Sequence, residues 1–203
     1  MGNTPVDIEK RRLRGTMRAN RVALPAGDVH AASRAIADRV TAHSTWREVR
    51  TIHTYVGALP GEITTDWIIE RAFEDGKRVL VPVAQVAERT MRSVVITDLD
   101  DLQTTSWGGR EPVSGDEAKS ADIDLIIVPG VAFDRAGCRL GMGAGFYDRL
   151  LSDLSVPKIG LAHNWQVVEA VPQNDLDERV DAVATPSELI ISPGVILDLS
   201  IRR

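Results

Sequence analysis

One cysteine in 203 residues, Cys138, removes any internal disulfide from consideration, and no apolar run approaches the length that spans a bilayer. The first residues are charged rather than apolar, which predicts no signal peptide, and Val6 stands where myristoylation after Met1-Gly2 needs Ser or Thr. Positive charge is also lacking: 24 Lys and Arg against 29 Asp and Glu leave a net charge of −5. General nucleic-acid binding is therefore not expected, and an anionic ligand needs a local basic cluster. Two nucleotide fingerprints are missing as well. The glycine-rich stretch is spaced GxGxG rather than GxGxxG, and the strand after it, Lys158 to Ala162, ends in His163-Asn164 instead of an acid, which disfavours NAD. The Gly76-Lys77 pair continues into Arg78 where a P-loop has Ser or Thr. Cys138, lacking a His partner nearby in sequence, reads as a small packing residue.

What is present is ordinary globular material, 43% hydrophobic and 26% charged, in a length that suits one domain over residues 1–203. Such a chain buries roughly 70% of the surface its unfolded form exposes. A cytoplasmic enzyme or binding protein is expected. Short β-branched runs at 51–56, 78–83, 90–96 (an edge candidate), 124–128, 157–162 and 180–185 (the last strand) alternate with helical periods. That order predicts an α/β fold, a three-layer domain with a mainly parallel central sheet and helices on both faces. Gly27-Asp28 reads as the break between the first two helices, the second carrying Val29, Ala32, Ile36 and Val40. His53, in a strand without metal-spaced partners, reads as structural.

The chain is organised around residues 128–149, VPGVAFDRAGCRLGMGAGFYDR. A buried strand ends at Pro129-Gly130, and the turn chemistry of Asp134 to Gly137 doubles the chain back to bring Arg139 to the mouth of the next loop. Gly141, Gly143 and Gly145 leave consecutive backbone N–H groups accessible to an anion at the start of a helix. Spacing alone licenses an anion-binding loop or a tight connection. At the N-terminus, Thr4-Pro5 starts a helix whose apolar stripe is Val6, Leu13, Met17 and Leu24. Lys10, Arg14 and Arg21 border that stripe, and Arg11, Arg12 and Arg18 point to water. Glu62 to Thr65 falls at the carboxyl end of a strand, where open α/β sheets bind ligands, and Thr65 also suits a helix cap. Trp107, in a polar loop, is able either to stack on a flat ligand or to plug the loop.

The whole string PGxAFDxxGxRLGxGxGxYDR resembles the 5-formyltetrahydrofolate cyclo-ligase family, also called methenyltetrahydrofolate synthetase, and the likeness extends over nearly the whole chain. It implies ATP-dependent conversion of 5-formyltetrahydrofolate to 5,10-methenyltetrahydrofolate, with magnesium as cofactor and ATP as co-substrate. It further implies that Lys10 and Arg14 (the KxxLR pattern), Arg139, Gly141, Gly143, Gly145 and Tyr147 bind ATP, with Arg139 and Tyr147 catalytic. Glu62 and Thr65 match an ExxT motif at the folate; Trp107, Met142 and Phe146 join them as implied substrate contacts, the last two where the family often has Tyr. Asp148 and Asp177 are the implied magnesium ligands, with Asp175 and Asp181 as alternatives to Asp177. The partners implied are small molecules, ATP and a reduced folate, with no nucleic acid and no membrane, in a monomer or weak homodimer. The competing reading is a non-catalytic regulatory protein that binds nucleotide or folate on the same scaffold.

Overall fold

Alternating β-branched and amphipathic segments become a central sheet flanked by helices in the computed structural model, which describes residues 4–57, 59–105 and 108–197. The helices are α1 (Pro5–Val22), α2 (Ala26–Ala42), α3 (Ser44–Glu48), α4 (Asp66–Glu74) and α5 (Phe146–Ser152). The strands are β1 (Thr51–Thr54), β2 (Arg78–Gln85), β3 (Thr90–Ile96), β4 (Leu102–Thr104), β5 (Arg110–Pro112), β6 (Glu117–Ala118), β7 (Leu125–Val128), β8 (Ala132–Asp134), β9 (Arg139–Leu140), β10 (Lys158–Leu161), β11 (Val167–Val168), β12 (Ala182–Ala184) and β13 (Leu189–Ile191). In the main sheet the order is β13-β12-β10-β7-β1-β2-β3-β6. From β12 to β2 all pairings are parallel, and β13, β3 and β6 join antiparallel at the flanks. The mainly parallel three-layer expectation holds.

Because β7 is buried on both faces, it reads as an apolar run rather than an alternating one, and its side chains serve two cores. Ile52, Val79, Leu125 and Ile127 meet Ile36 and Val40 of α2 and Ile68, Ile69 and Ala72 of α4. On the opposite face Leu80, Ile126 and Val128 meet Leu150 and Leu151 of α5 and the ring of Phe133. A smaller core sets Leu13 and Met17 of α1 against Val131, Ala132 and Leu140. This last contact fixes where the basic residues of α1 fall, next to the β8–β9 hairpin.

Four expectations need correction. The break between α1 and α2 lies at Leu24-Pro25, and Gly27 and Asp28 occupy the first turn of α2. Proline fixes its own φ and disfavours helix in the residue before it, whereas glycine is tolerated in a first turn and aspartate is favoured there by the helix dipole. The strand beginning at Thr51 ends at Thr54 rather than Val56. β3 is covered by β6 rather than lying at the edge. The strand near residue 183 is also not the last, since β13 pairs with β12 across a tight turn.

Candidate functional site

The segments that follow β1, β7 and β10 meet beside α1, at the carboxyl ends of parallel strands. α1 starts with a capping box in which the Thr4 hydroxyl accepts from Asp7 N at 3.2 Å, and its register then turns Lys10, Arg14 and Arg21 inward. Lys10 is only 4% exposed, and its ammonium is paired with the Asp177 carboxylate. Arg14 Nε donates to Gly141 O at 2.8 Å. Burial lowers the Arg14 pKa, and the charges of Asp177, Asp148 and Asp7 oppose that shift. A guanidinium keeps its charge through such a shift.

The β8–β9 hairpin is held by Asp134, whose carboxylate accepts from Ala136 N, Cys138 N and Val171 N at 2.9–3.0 Å. It is buried and structural, and it places Arg139 at the head of the glycine loop as the sequence predicts. Arg139 is 3% exposed; its Nη2 lies 2.5 Å from Asp148 Oδ1, and its guanidinium carbon 5.9 Å from the Tyr147 ring centroid. Gly143 and Gly145 adopt φ of 106° and 73°, values that L side chains rarely take. Their turn drops the chain into α5 with Asp148 in its first turn. From the opposite side, Glu178 N donates to Asp148 Oδ1 at 3.3 Å, which brings the neighbouring Asp177 to the same place. Asp177 Oδ2 also accepts from Asn174 N at 2.7 Å. Of the two alternatives, Asp175 is exposed, and the Asp181 carboxylate accepts from Lys158 N at 2.8 Å, at the opening of β12.

The other half of the site is built on the turn after β1. Glu62 Oε1 lies 3.5 Å from Arg21 Nη1, and its charge also acts on the buried hydroxyl of Tyr147. Burial, then Glu62, raise the Tyr147 pKa while Arg139 opposes, so the phenol stays protonated as a donor. That hydroxyl has no hydrogen-bond partner among the described residues, nor have Arg21 Nε and Arg139 Nε. Thr65 precedes α4 but makes no side-chain cap bond. It is fully buried and its hydroxyl donates to Tyr55 O at 2.5 Å, which makes it an anchor of the Glu62 segment rather than a ligand surface. Met142 is exposed at the rim of the loop, Phe146 lies half-buried under the guanidinium of Arg149, and Trp107 lies outside the described residues.

His53 and Cys138 carry no role here. Burial in mid-sheet holds the His53 pKa down to about 3, and burial, with Asp134 adding, raises that of the Cys138 thiol. Two residues that the sequence shows, but that its motifs assign no role, also stand at the site. Arg21 was visible on the same helical arc as Lys10 and Arg14, and His163, whose Nε2 lies 3.0 Å from Gly61 O, follows the strand end of β10.

Chemically, one half presents two ion pairs and a third cation around a backbone turn, and the other a carboxylate and unpaired donors around an aromatic hydroxyl. The oxygen-only pair Asp148 and Asp177 suits a hard divalent cation that completes its shell with phosphate oxygens and water, so magnesium fits this donor set.

Comparisons with known proteins agree on one family. Residues 6–186 match the 5-formyltetrahydrofolate cyclo-ligase family. The 5-formyltetrahydrofolate cyclo-ligase of Mus musculus is 30% identical over 196 residues, covering 90% of this chain and 96% of that protein. That of Escherichia coli K12 is 36% identical over 135 residues, 64% of this chain and 74% of that one. Among solved structures, the 5,10-methenyltetrahydrofolate synthetase of Aquifex aeolicus superposes with a TM-score of 0.80 at 26% identity, over 92% of this chain and 94% of the other. Since the match runs from α1 to beyond β12 and takes in both halves of the site, the chain belongs to the 5-formyltetrahydrofolate cyclo-ligase family.

Proposed function

We propose that the protein closes 5-formyltetrahydrofolate to 5,10-methenyltetrahydrofolate at the expense of ATP, releasing ADP and phosphate. The observation that carries this reading is the arrangement of buried Lys10 and Arg139 and half-buried Arg14 around the turn at Gly141, with Asp148 and Asp177 interleaved among them. A formamide oxygen is a poor leaving group. Transfer of the terminal phosphoryl group to that oxygen breaks the bond to ADP and makes the formyl carbon electrophilic. The neighbouring folate amine then attacks that carbon, loses its proton, and expels phosphate. No side-chain nucleophile is needed; the work is positioning and charge neutralisation.

In this reading Lys10 and Arg14 hold the phosphates, while Arg139 neutralises the charge that builds on the transferring group. Asp148 and Asp177 would hold magnesium, which supplies charge neutralisation at the phosphate oxygens. Glu62 accepts from the amine donors of the pterin, and the Tyr147 hydroxyl donates into the space between the two substrates. Met142 and Phe146 form the outer wall on the folate side, with Trp107 as a further stacking candidate. The test is the absorbance of methenyltetrahydrofolate formed from 5-formyltetrahydrofolate, magnesium and ATP. Product is expected only when all three are present, and ATP binding without product would replace this reading by the non-catalytic one.

A further inference from the structure

Arg21 is a buried charged group of the site that the proposed chemistry does not use. It lies in the last turn of α1, 5% exposed, eleven residues and so about 16 Å along the helix from Lys10. Among the described residues its one ion pair runs to Glu62, whose side chain is 13% exposed. Placing a carboxylate there costs free energy unless a cation compensates it, because burial disfavours the charged form. Its charge is felt by two buried phenols: after burial, Glu62 helps to raise the pKa of both Tyr55 and Tyr147, and at Tyr55 the charge of Arg21 opposes it.

The backbone around Glu62 is fitted to the same arginine. Gly61 has φ of 68°, and a Cβ there would lie 1.9 Å from Arg21 O and 2.7 Å from Arg21 Cγ, so the turn is pressed onto the main chain and stem of Arg21. Only glycine allows that approach. Gly61 O faces His163 Nε2 at 3.0 Å; since a carbonyl only accepts, Nε2 carries the proton. The turn is thus held from one side by α1 and from the other by the segment after β10. Downstream, the Tyr55 hydroxyl donates to Ile63 O at 2.7 Å, which fixes the exit of the turn.

We infer that Arg21 is a positioning residue for folate: it holds the Glu62 carboxylate aimed at the substrate, and so makes α1 serve both subsites, nucleotide through Lys10 and Arg14 and folate through Arg21. This rests on the proposed placement of Glu62 at the folate. A salt bridge that merely tied α1 to the turn would affect stability and both substrates alike.

The experiment is a double-mutant cycle on the full chain with Arg21→Gln, Glu62→Gln and the double variant, with Arg21→Lys as the conservative control. KM for 5-formyltetrahydrofolate and for ATP are measured separately, beside thermal melting. Arg21→Gln should raise the folate KM roughly tenfold and leave the ATP KM within about twofold, the size expected for a charge-assisted contact. The double variant should be no worse than Glu62→Gln alone, because Arg21 acts through Glu62. Arg21→Lys should restore most of the loss, and it also serves if Arg21→Gln does not fold. Additive losses, or equal rises in both KM values, would overturn the role of Arg21. An unchanged folate KM in Glu62→Gln would instead overturn the placement of Glu62.

Discussion

Helix α1 borders the site in two places with different electrostatics. Near its start, Lys10 faces Asp177, Arg14 caps the carbonyl of Gly141, and Arg139 faces Asp148, so most charge is already neutralised. Near its end, Arg21 compensates Glu62, but the Tyr147 hydroxyl and Arg21 Nε are buried without partners among the described residues. In the proposed reading, a ligand at the paired half exchanges ion pairs. A phosphate that takes Lys10 and Arg139 releases two aspartates, which then need a new cation, so phosphate and metal favour each other there. At the unpaired half the desolvation of donors has already been incurred in folding, and a polar ligand that pairs them recovers it. Charge exchange thus suits a metal nucleotide, and waiting donors suit a neutral ring with fixed acceptors.

The largest effect should come from breaking the pair that links the halves. Asp148→Asn leaves the Arg139 guanidinium buried without its counter-charge and removes one expected metal ligand. Turnover at saturating ATP should fall at least a hundredfold. Removing one partner of a buried pair costs about 3–5 kcal/mol, so melting should drop as well. Near-normal turnover at saturating magnesium would mean that the two halves are not linked through Asp148.

Next come substitutions that separate the halves. Lys10→Ala and Arg14→Ala should each raise the ATP KM by an order of magnitude or more while the folate KM moves little, since a charge-assisted contact is worth about 1.5–3 kcal/mol. Glu62→Gln should do the reverse. Initial rates in crossed titrations of both substrates measure this directly, and equal losses for the two substrates would erase the division. A smaller effect, of opposite sign for stability and activity, is expected from Tyr147→Phe. Deleting a buried hydroxyl that has no partner among the described residues should stabilise the fold by about 1 kcal/mol, read as a melting rise of about 2–4 °C. The rate constant should fall at the same time. If melting drops instead, the hydroxyl has a partner in the folded protein and the contrast between the halves weakens.

The first half was far more legible in the sequence than the second. Helical periodicity set Lys10, Arg14 and Arg21 on one arc, turn chemistry returned the chain to Arg139, and alternating glycines announced a loop, because each is a local rule acting within one element. The compensation of Glu62 by Arg21 joins residues 41 positions apart, and no local pattern encodes such a contact. Thr65 looked like a cap and a ligand, but its hydroxyl had a nearer acceptor in the Tyr55 carbonyl exposed by the end of β1. The same logic explains the strand errors: β6 and β13 are stretches of two and three residues stabilised by their neighbours, too short to show a period of their own.

Asp177 tests the exchange argument with the smallest perturbation. Its Oδ2 accepts from Asn174 N and pairs with Lys10, so an asparagine keeps an acceptor for the backbone but gives up the charge. Two consequences oppose each other. The metal loses one of two carboxylates, so more magnesium should be needed for half-maximal rate, several-fold more at fixed ATP. Lys10, freed from its counter-ion, becomes available to phosphate, so at saturating magnesium the ATP KM should stay level or fall. A plain structural defect predicts neither, since it would depress rate at every magnesium concentration. The neighbours sharpen the result: Asp175 is exposed, and Asp181 holds the backbone of Lys158. Asp175→Asn should therefore leave the magnesium titration where it was. A shifted titration for Asp175→Asn together with a normal one for Asp177→Asn would show that the 174–178 loop presents a different carboxylate to the metal, and that the Lys10–Asp177 pair is not the one exchanged.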